Sequence, residues 1–189
     1  MQVKKFSTRV KIITAAAAVA LAGFGTAGVV SAAAQPPAQP PAQPPAATKA
    51  AVPEKATTTS THLSIDAATE AAQAALDAAE KEGQRVTVAV VDRNGNTIVT
   101  LRGDGAGPQS YESAVRKAYT AVSWNAPTSE LVKRLESAPT LKDIPGTLFL
   151  AGGVPVAADN APIAGIGVAG APSGDLDEKF AQAGAAELG

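Results

Sequence analysis

The chain has no cysteine, one histidine, one methionine and one tryptophan in 189 residues. Without cysteine there is no disulfide framework, no zinc–thiolate site and no thiol nucleophile. In an oxidising compartment the core must therefore hold itself together by packing alone. A Ser-His-Asp relay would have to run through the sole histidine, His62, and no Gly-x-Ser-x-Gly elbow accompanies it. No catalytic residue is assigned. Aromatic residues make up only 4% of the chain, against 17 glycines and abundant alanine. Each core side chain then buries little area, and self-association is one way of burying more. A basic cluster is also missing, which argues against nucleic acid or an anionic membrane as the main partner.

What the chain does have begins with Lys4, Lys5, Arg9 and Lys11, followed by an apolar run from Ile12 to Val30 and the small residues Ser31 to Ala34. This is the three-part form of a secretory signal over residues 1–34, with cleavage after Ala34. The rival reading is a retained membrane anchor, since the run can span a bilayer if tilted. Its poverty in leucine and isoleucine and its small-residue end favour removal. Ser7-Thr8-Arg9 resembles a twin-arginine signal lacking one arginine, which leaves the export route open. Removal takes four of the 16 basic residues and none of the 17 acidic ones, so the net charge of the mature chain is −5. Residues 35–61 follow as a proline-rich disordered spacer. Gln35-Pro36-Pro37-Ala38 recurs from Gln39 and Gln43, and proline fixes φ and removes donors, so polyproline II is expected. Outside a cell this is a tether or wall spacer, with a ligand for a proline-binding module as the alternative.

Residues 62–189 have the size of one ordinary domain. Ser64 is placed to cap a helix in which Ile65, Ala68, Ala72, Ala75, Leu76 and Ala79 recur at helical spacing. Arg85 to Val91 reads as a buried strand, Asp92-Arg93-Asn94-Gly95 as a turn, and Asn96 to Arg102 as the returning strand. Ser110 and Thr128 are expected to cap two further helices. Leu148 to Ala151 and Val154 to Ala157 flank Gly152-Gly153, which predicts a second tight hairpin. Ile163 to Ala169 is another strand, and Asp175 to Leu188 a closing helix. Hairpins dominate this order, so the fold is expected to be α+β, a mainly antiparallel five-stranded sheet covered by helices.

Two glycine-rich runs lie in this domain, at Gly103–Gly107 and Gly165–Gly170. The second matches Gly-x-Gly-x-x-Gly, but it falls within a strand with no βαβ unit opening from it. It reads as close backbone packing rather than dinucleotide binding. Two Asp-x-x-Glu pairs, Asp77 with Glu80 and Asp175 with Glu178, are candidates for an iron ion. The competing readings are an exposed helical face for the first pair and a helix cap by Asp175 for the second.

Three motifs occur in one order: Arg116-Lys117-Ala118-Tyr119-Thr120-Ala121, then Gly152-Gly153-Val154-Pro155, then Ile163 to Gly170, with an Ala-Gln-Ala-Gly helix closing the chain. Together they resemble the GlcG/HbpS family, whose small domain is often labelled haem-degrading. The resemblance covers roughly residues 62–189. It implies a central sheet of about five strands, assembly into a large homo-oligomer such as an octamer, and non-covalent b-type haem as cofactor. The usual axial ligands are His, Cys, Met or Tyr, which here leaves His62, Tyr111 and Tyr119, together with weaker oxygen donors. The family's pocket region favours Thr147 among the latter, with His62 next and Tyr119 better suited to the core. The resemblance also offers Arg116 and Lys117 as partners for the haem propionates. These two are adjacent and diverge by about 100° around a helix, so one of them at most faces a pocket. Phe149 and Val154 serve equally as apolar walls or as core.

Export signal and spacer resemble those of secreted family members known from streptomycetes. The implied function is a secreted, extracellular or cell-wall-associated haem-binding protein for haem and redox sensing. Its implied partner is the extracellular part of a membrane sensor histidine kinase of a two-component system. The alternatives are a haem-degrading or peroxidase-like enzyme, and a non-haem oligomeric scaffold that holds a small acid or another protein.

Overall fold

A strand covered on both faces has to be apolar throughout, and Val88-Ala89-Val90-Val91 is such a run. It forms most of β1, Thr87–Asp92, buried from Thr87 to Val91. The computed structural model describes residues 51–189, which form one unit, Ala51–Gly189. The signal segment and the spacer up to residue 50 lie outside the described residues. From 51 to 61 the chain is exposed, with a single 3-10 turn at Glu54–Ala56. Among the described residues no helix is long and apolar enough to cross a membrane.

The remaining elements are β2 Thr97–Arg102, β3 Gly153–Ala158 and β4 Ala161–Ala169, with helices α1 Ile65–Lys81, α2 Pro108–Trp124, α3 Thr128–Arg134 and α4 Gly174–Ala186. The sheet is antiparallel throughout, in the order β2-β1-β4-β3. Side chains alternate across it with the period of two that a pleated strand imposes. Val88, Val90, Ala164, Ile166 and Val168 face α1 and α4 around the buried Phe180. Ala89, Val91 and Ala169 face α2, against Ala114, Ala118 and Val122. Each buried valine or isoleucine contributes roughly 1.5–3 kcal/mol. Alanine offers much less area, and close backbone approach replaces bulk. A Cβ at Gly165 or Gly167 would run into the carbonyl oxygens of Ala118 and Ala114, and one at Gly184 into that of Ala71. The glycine-rich run of β4 is therefore a seam for α2.

The sheet has four strands, not five. Residues 148–151 form no ladder, because Leu148 N donates to Thr120 Oγ1 at 2.8 Å and Leu150 N to the Leu148 carbonyl at 2.9 Å. Gly152-Gly153 is accordingly not a hairpin turn but the entry to β3. The β3–β4 turn lies at Asp159-Asn160, whose φ values of 50° and 62° are those of a two-residue primed turn. The predicted caps also move. Gly107 caps α2, Pro127 precedes α3, and Ser173 caps α4 by accepting from Leu176 N at 3.3 Å. Ser110, Thr128 and Asp175 lie inside the first turns of these helices: Pro108 at the first helical position sets the start of α2 upstream of Ser110, and Pro127 takes the cap position of α3, making Thr128 its first residue. Ser64 does cap α1, accepting from Ala67 N at 3.2 Å.

Candidate functional site

Ala114, Lys117, Ala118 and Ala121 fall on one stripe of α2 at helical spacing, and that stripe is buried against the sheet. A lysine there needs a partner, because an unpaired buried charge is too costly to keep. Lys117 Nζ reaches Asp177 Oδ2 of α4 at 2.7 Å and the Val168 carbonyl at 3.0 Å. Asp177 Oδ1 accepts from Ala171 N at 3.0 Å. Burial pushes the Asp177 carboxyl above the ordinary aspartate value, while Lys117 and the backbone amides of Ala171 and Gly170 pull it back only in part. This ion pair forms one wall of a cavity of about 250 Å³, lined also by Gly107, Ser110, Ser113 and Gly170. Ser110 Oγ shares a 2.7 Å hydrogen bond with Thr87 Oγ1 and donates to the Gly107 carbonyl at 2.6 Å.

Next to it Glu178 turns inward rather than towards Asp175. Its carboxylate accepts from Ser129 N at 3.0 Å, Ser129 Oγ at 2.5 Å and Gly152 N at 3.3 Å. Asp175 is exposed while Glu178 is buried, so these two residues do not converge. Glu178 instead caps α3 from another helix, since Pro127 supplies no capping side chain. Asp77 and Glu80 are both exposed on α1, and Asp77 accepts from Gln73 Nε2 at 2.6 Å. Among the described residues no three His, Asp or Glu side chains converge as a metal site.

Arg116 and Lys117 do diverge. Arg116 Nη2 donates to the Thr147 carbonyl at 2.7 Å, away from the Lys117 cavity. Thr147 is 3% exposed, and its hydroxyl donates to the Ile144 carbonyl at 2.7 Å, closing the turn at Gly146. Phe149 stacks edge-on against Trp124, with centroids 6.0 Å apart, in a small cluster with Ala126 and Leu131. Tyr119 packs its ring between Gly95 and Gly146. Val154 is half-buried against the main core. Tyr111 stands exposed on α2.

A second depression, of about 400 Å³, is apolar and lies at the opposite side of the sheet. Leu63, Val156, Ile163, Ala185 and Leu188 are among its walls. His62 adjoins Leu63, is exposed, and shares a 2.6 Å hydrogen bond with Ser60 Oγ. Its charge is felt by Asp92, whose strand partner Ala164 follows the groove residue Ile163. A haem needs an apolar wall and an accessible ligand atom. The groove offers the wall, and His62 directly precedes its lining residue Leu63 without itself lining it; the groove's volume lies within the roughly 300–1,000 Å³ of ordinary ligand pockets. The Thr147 hydroxyl is buried beside Leu148 and Phe149, and its hydrogen is engaged by the Ile144 carbonyl while its lone pairs are not.

Asp177, Ser113 and the groove residues escape a motif search. Asp177 carries a legible signal all the same. Asp177, Phe180, Ala181 and Gly184 share the buried stripe of α4, and a carboxylate on such a stripe implies a buried cation elsewhere.

A family model described as haem degrading protein, HbpS-like, matches residues 63–186. Among solved structures, a double mutant of the Streptomyces reticuli HbpS, with two glutamates changed to aspartate, is 74% identical with a TM-score of 0.76. That match covers 77% of this chain and 99% of the other. A further crystal structure of HbpS is 76% identical with a TM-score of 0.73, covering 74% and 99%. A complex of PduOC with haem is 28% identical with a TM-score of 0.62, covering 67% of this chain and 95% of that one. No curated protein matches the sequence.

Proposed function

The chain belongs to the HbpS-like family, which has haem-related members, and from that premise we propose that it is an exported haem-binding protein that serves haem and redox sensing. What supports this reading is that the only histidine directly precedes Leu63, a wall of the apolar groove. His62 would hold the iron through one ring nitrogen. Leu63, Val156, Ile163 and Leu188 would cover one porphyrin face and keep water from it. Bound haem supplies an iron centre that responds to oxidants and reductants. The chain's own part is to fix the ring beside an exposed, reversible ligand. Ser60 orients the imidazole by occupying Nε2, and haem iron would have to displace that hydroxyl or bind the other ring nitrogen.

Haem would act on a membrane sensor histidine kinase of a two-component system by altering a surface that the kinase's two states bind unequally, since otherwise no signal passes. β2 and β3 are the two edges of the sheet, and these are the faces through which copies would assemble into a homo-oligomer.

The test is a haemin titration followed by absorption, with His62→Ala and Thr147→Ala alongside. Saturable binding at a fixed ratio, lost or spectrally shifted in His62→Ala and kept in Thr147→Ala, is expected. Non-saturating, featureless absorption in all three proteins overturns the haem reading. Binding lost only in Thr147→Ala moves the ligand there. Haem-dependent retention of the kinase's extracellular part on the immobilised protein tests the accessory role.

A further inference from the structure

We infer that the threonine run ahead of the domain is an O-glycosylation site, with Thr58, Thr59 and Thr61 as the acceptor hydroxyls. Thr57-Thr58-Thr59-Ser60-Thr61 is the longest run of hydroxyl residues in the chain. It has no charge, and its side chains pack against nothing, being exposed throughout. A segment that only solvates a linker has little use for this composition. Threonine is β-branched, and disordered linkers are poor in β-branched residues, drawing on serine, glycine, glutamate and lysine instead. Hydroxyl residues combined with proline are the composition of O-glycosylated stalks. Pro53 stands four residues before the run, and the proline-rich spacer lies upstream of it.

The backbone presents this run as an acceptor. Thr57 leaves the 3-10 turn extended, with φ −120° and ψ 154°, and no helix or strand follows before Ile65. A transferase has to draw several residues into its cleft, which an exposed, unpaired segment permits and a packed element does not. The hydroxyls of the domain are placed otherwise. Thr87, Ser110, Thr120, Thr128 and Thr147 are buried, and Thr69, Ser129 and Ser137 donate to nearby acceptors. Within the run the hydroxyls are not equivalent. Thr57 Oγ1 donates to the Glu54 carbonyl at 2.8 Å, and Ser60 Oγ shares its 2.6 Å hydrogen bond with His62. Thr58, Thr59 and Thr61 have no hydrogen-bond partner among the described residues.

The linkage is to oxygen, since the chain has no Asn-x-Ser/Thr sequence for attachment to nitrogen. The donor is a phosphate-activated hexose. Threonine Oγ1 attacks its anomeric carbon, the bond from that carbon to the phosphate oxygen breaks, and the electron pair leaves on the phosphate. The hydroxyl proton passes to a base of the transferase. The added group is bulky, hydrophilic and neutral, unlike a phosphate, which would add negative charge. It keeps the junction extended and shields an exposed backbone, beside Lys55, of the kind that proteases nick. The assignment rests on the export reading above and not on haem.

The experiment is intact-mass spectrometry of the full chain produced in a streptomycete host and recovered from the medium, followed by fragmentation of the peptide that holds the run. A mass above that of the sequence by whole hexose units, mapped to Thr58, Thr59 and Thr61, is the expected result. The excess should vanish in the triple variant Thr58→Ala, Thr59→Ala, Thr61→Ala and persist in Thr57→Ala with Ser60→Ala. These positions lie outside the packed core, so the variants fold as the parent does. Secreted chain at the bare sequence mass overturns the assignment. So does a phosphate step, or hexose confined to Thr57, Ser60 or the spacer. Retention of the chain in the cytoplasm overturns export and this assignment with it. Hexose on a secreted chain that fails the haemin titration overturns the haem reading alone.

Discussion

Lys117 Nζ and Asp177 Oδ2 lie 2.7 Å apart, joining α2 to α4 across 60 residues of sequence, and both side chains are only 5% exposed. The pair sits where the end of β4 passes between the two helices, so it ties together elements from both faces of the sheet. Its energetic signature is asymmetric. Removing one partner leaves a buried charge uncompensated, whereas removing both does not.

Lys117→Met should therefore lower unfolding stability by about 3–5 kcal/mol, and Lys117→Met combined with Asp177→Leu should recover most of that loss. Urea denaturation of the two variants and the parent checks this. An additive double variant would show that the two charges do not interact.

Glu178 caps α3 from outside the helix, and its loss should be felt at a distance from its own backbone. Glu178→Ala leaves Ser129 N, Gly152 N and the Thr128 hydroxyl with one acceptor fewer. A cost of about 2–3 kcal/mol is expected for these charge-assisted bonds. Hydrogen exchange at Ser129 and Gly152 should accelerate, while exchange in β1 follows only global stability. Glu178→Gln, which keeps an acceptor oxygen, should recover part of the protection.

Gly167→Ala tests the seam between β4 and α2. The added methyl meets the Ala114 carbonyl and the Ala118 amide, both backbone, so no side chain can rotate away. Overpacking of this kind should cost about 3 kcal/mol or more, seen as a lower thermal midpoint or as loss of soluble protein.

The first hairpin should be sensitive to acid. Burial is the largest single influence on the Asp92 carboxyl and raises it, but hydrogen bonds from the Asn96 amide and side chain and the Asn94 amide, with the His62 charge, together hold it below the ordinary aspartate value. A depressed folded pKa contributes stability that is fully present above the unfolded value of about 3.9. That contribution is lost as pH falls through the lower, folded value. Exchange at Asn94 and Asn96, corrected for intrinsic rates, should rise in that window. In Asp92→Asn the rise should vanish.

How much of this was legible depended on whether a feature is local. The α1 cap at Ser64, the Asp92–Gly95 turn and the two-faced β1 follow from neighbouring residues, and the structure has them. The packing role of Gly165 and Gly167 was legible because the run falls within a strand and opens no βαβ unit. The absent fifth strand was not. Leu148-Phe149-Leu150 has strand composition, and only the Thr120 hydroxyl, 28 residues upstream, draws the Leu148 amide away from a ladder. The Asp159-Asn160 turn was available, since both residues tolerate positive φ, but the glycine pair seven residues earlier was the louder signal. For the site, adjacency separated Arg116 from Lys117, as the structure has them. The Asp-x-x-Glu spacing leaves Asp77 and Glu80 together on the exposed side of α1, whereas Asp175 is exposed and Glu178 joins Asp177 on the buried stripe of α4.

The apolar groove takes its walls from both extremes of the domain, Leu63 and Ala67 at one and Ala185, Leu188 and Gly189 at the other. The two ends of the folded unit thus meet at a single corner. A short peptide can seal residue 189 to residue 62, and new ends can be opened at the exposed Asp104-Gly105 loop, which lines no part of the groove. Such a circular permutant would carry no tether at the mouth of the groove. It would also move any purification handle to the end of the sheet where Arg102, Thr87 and Ala169 pair, opposite the Ile163 end.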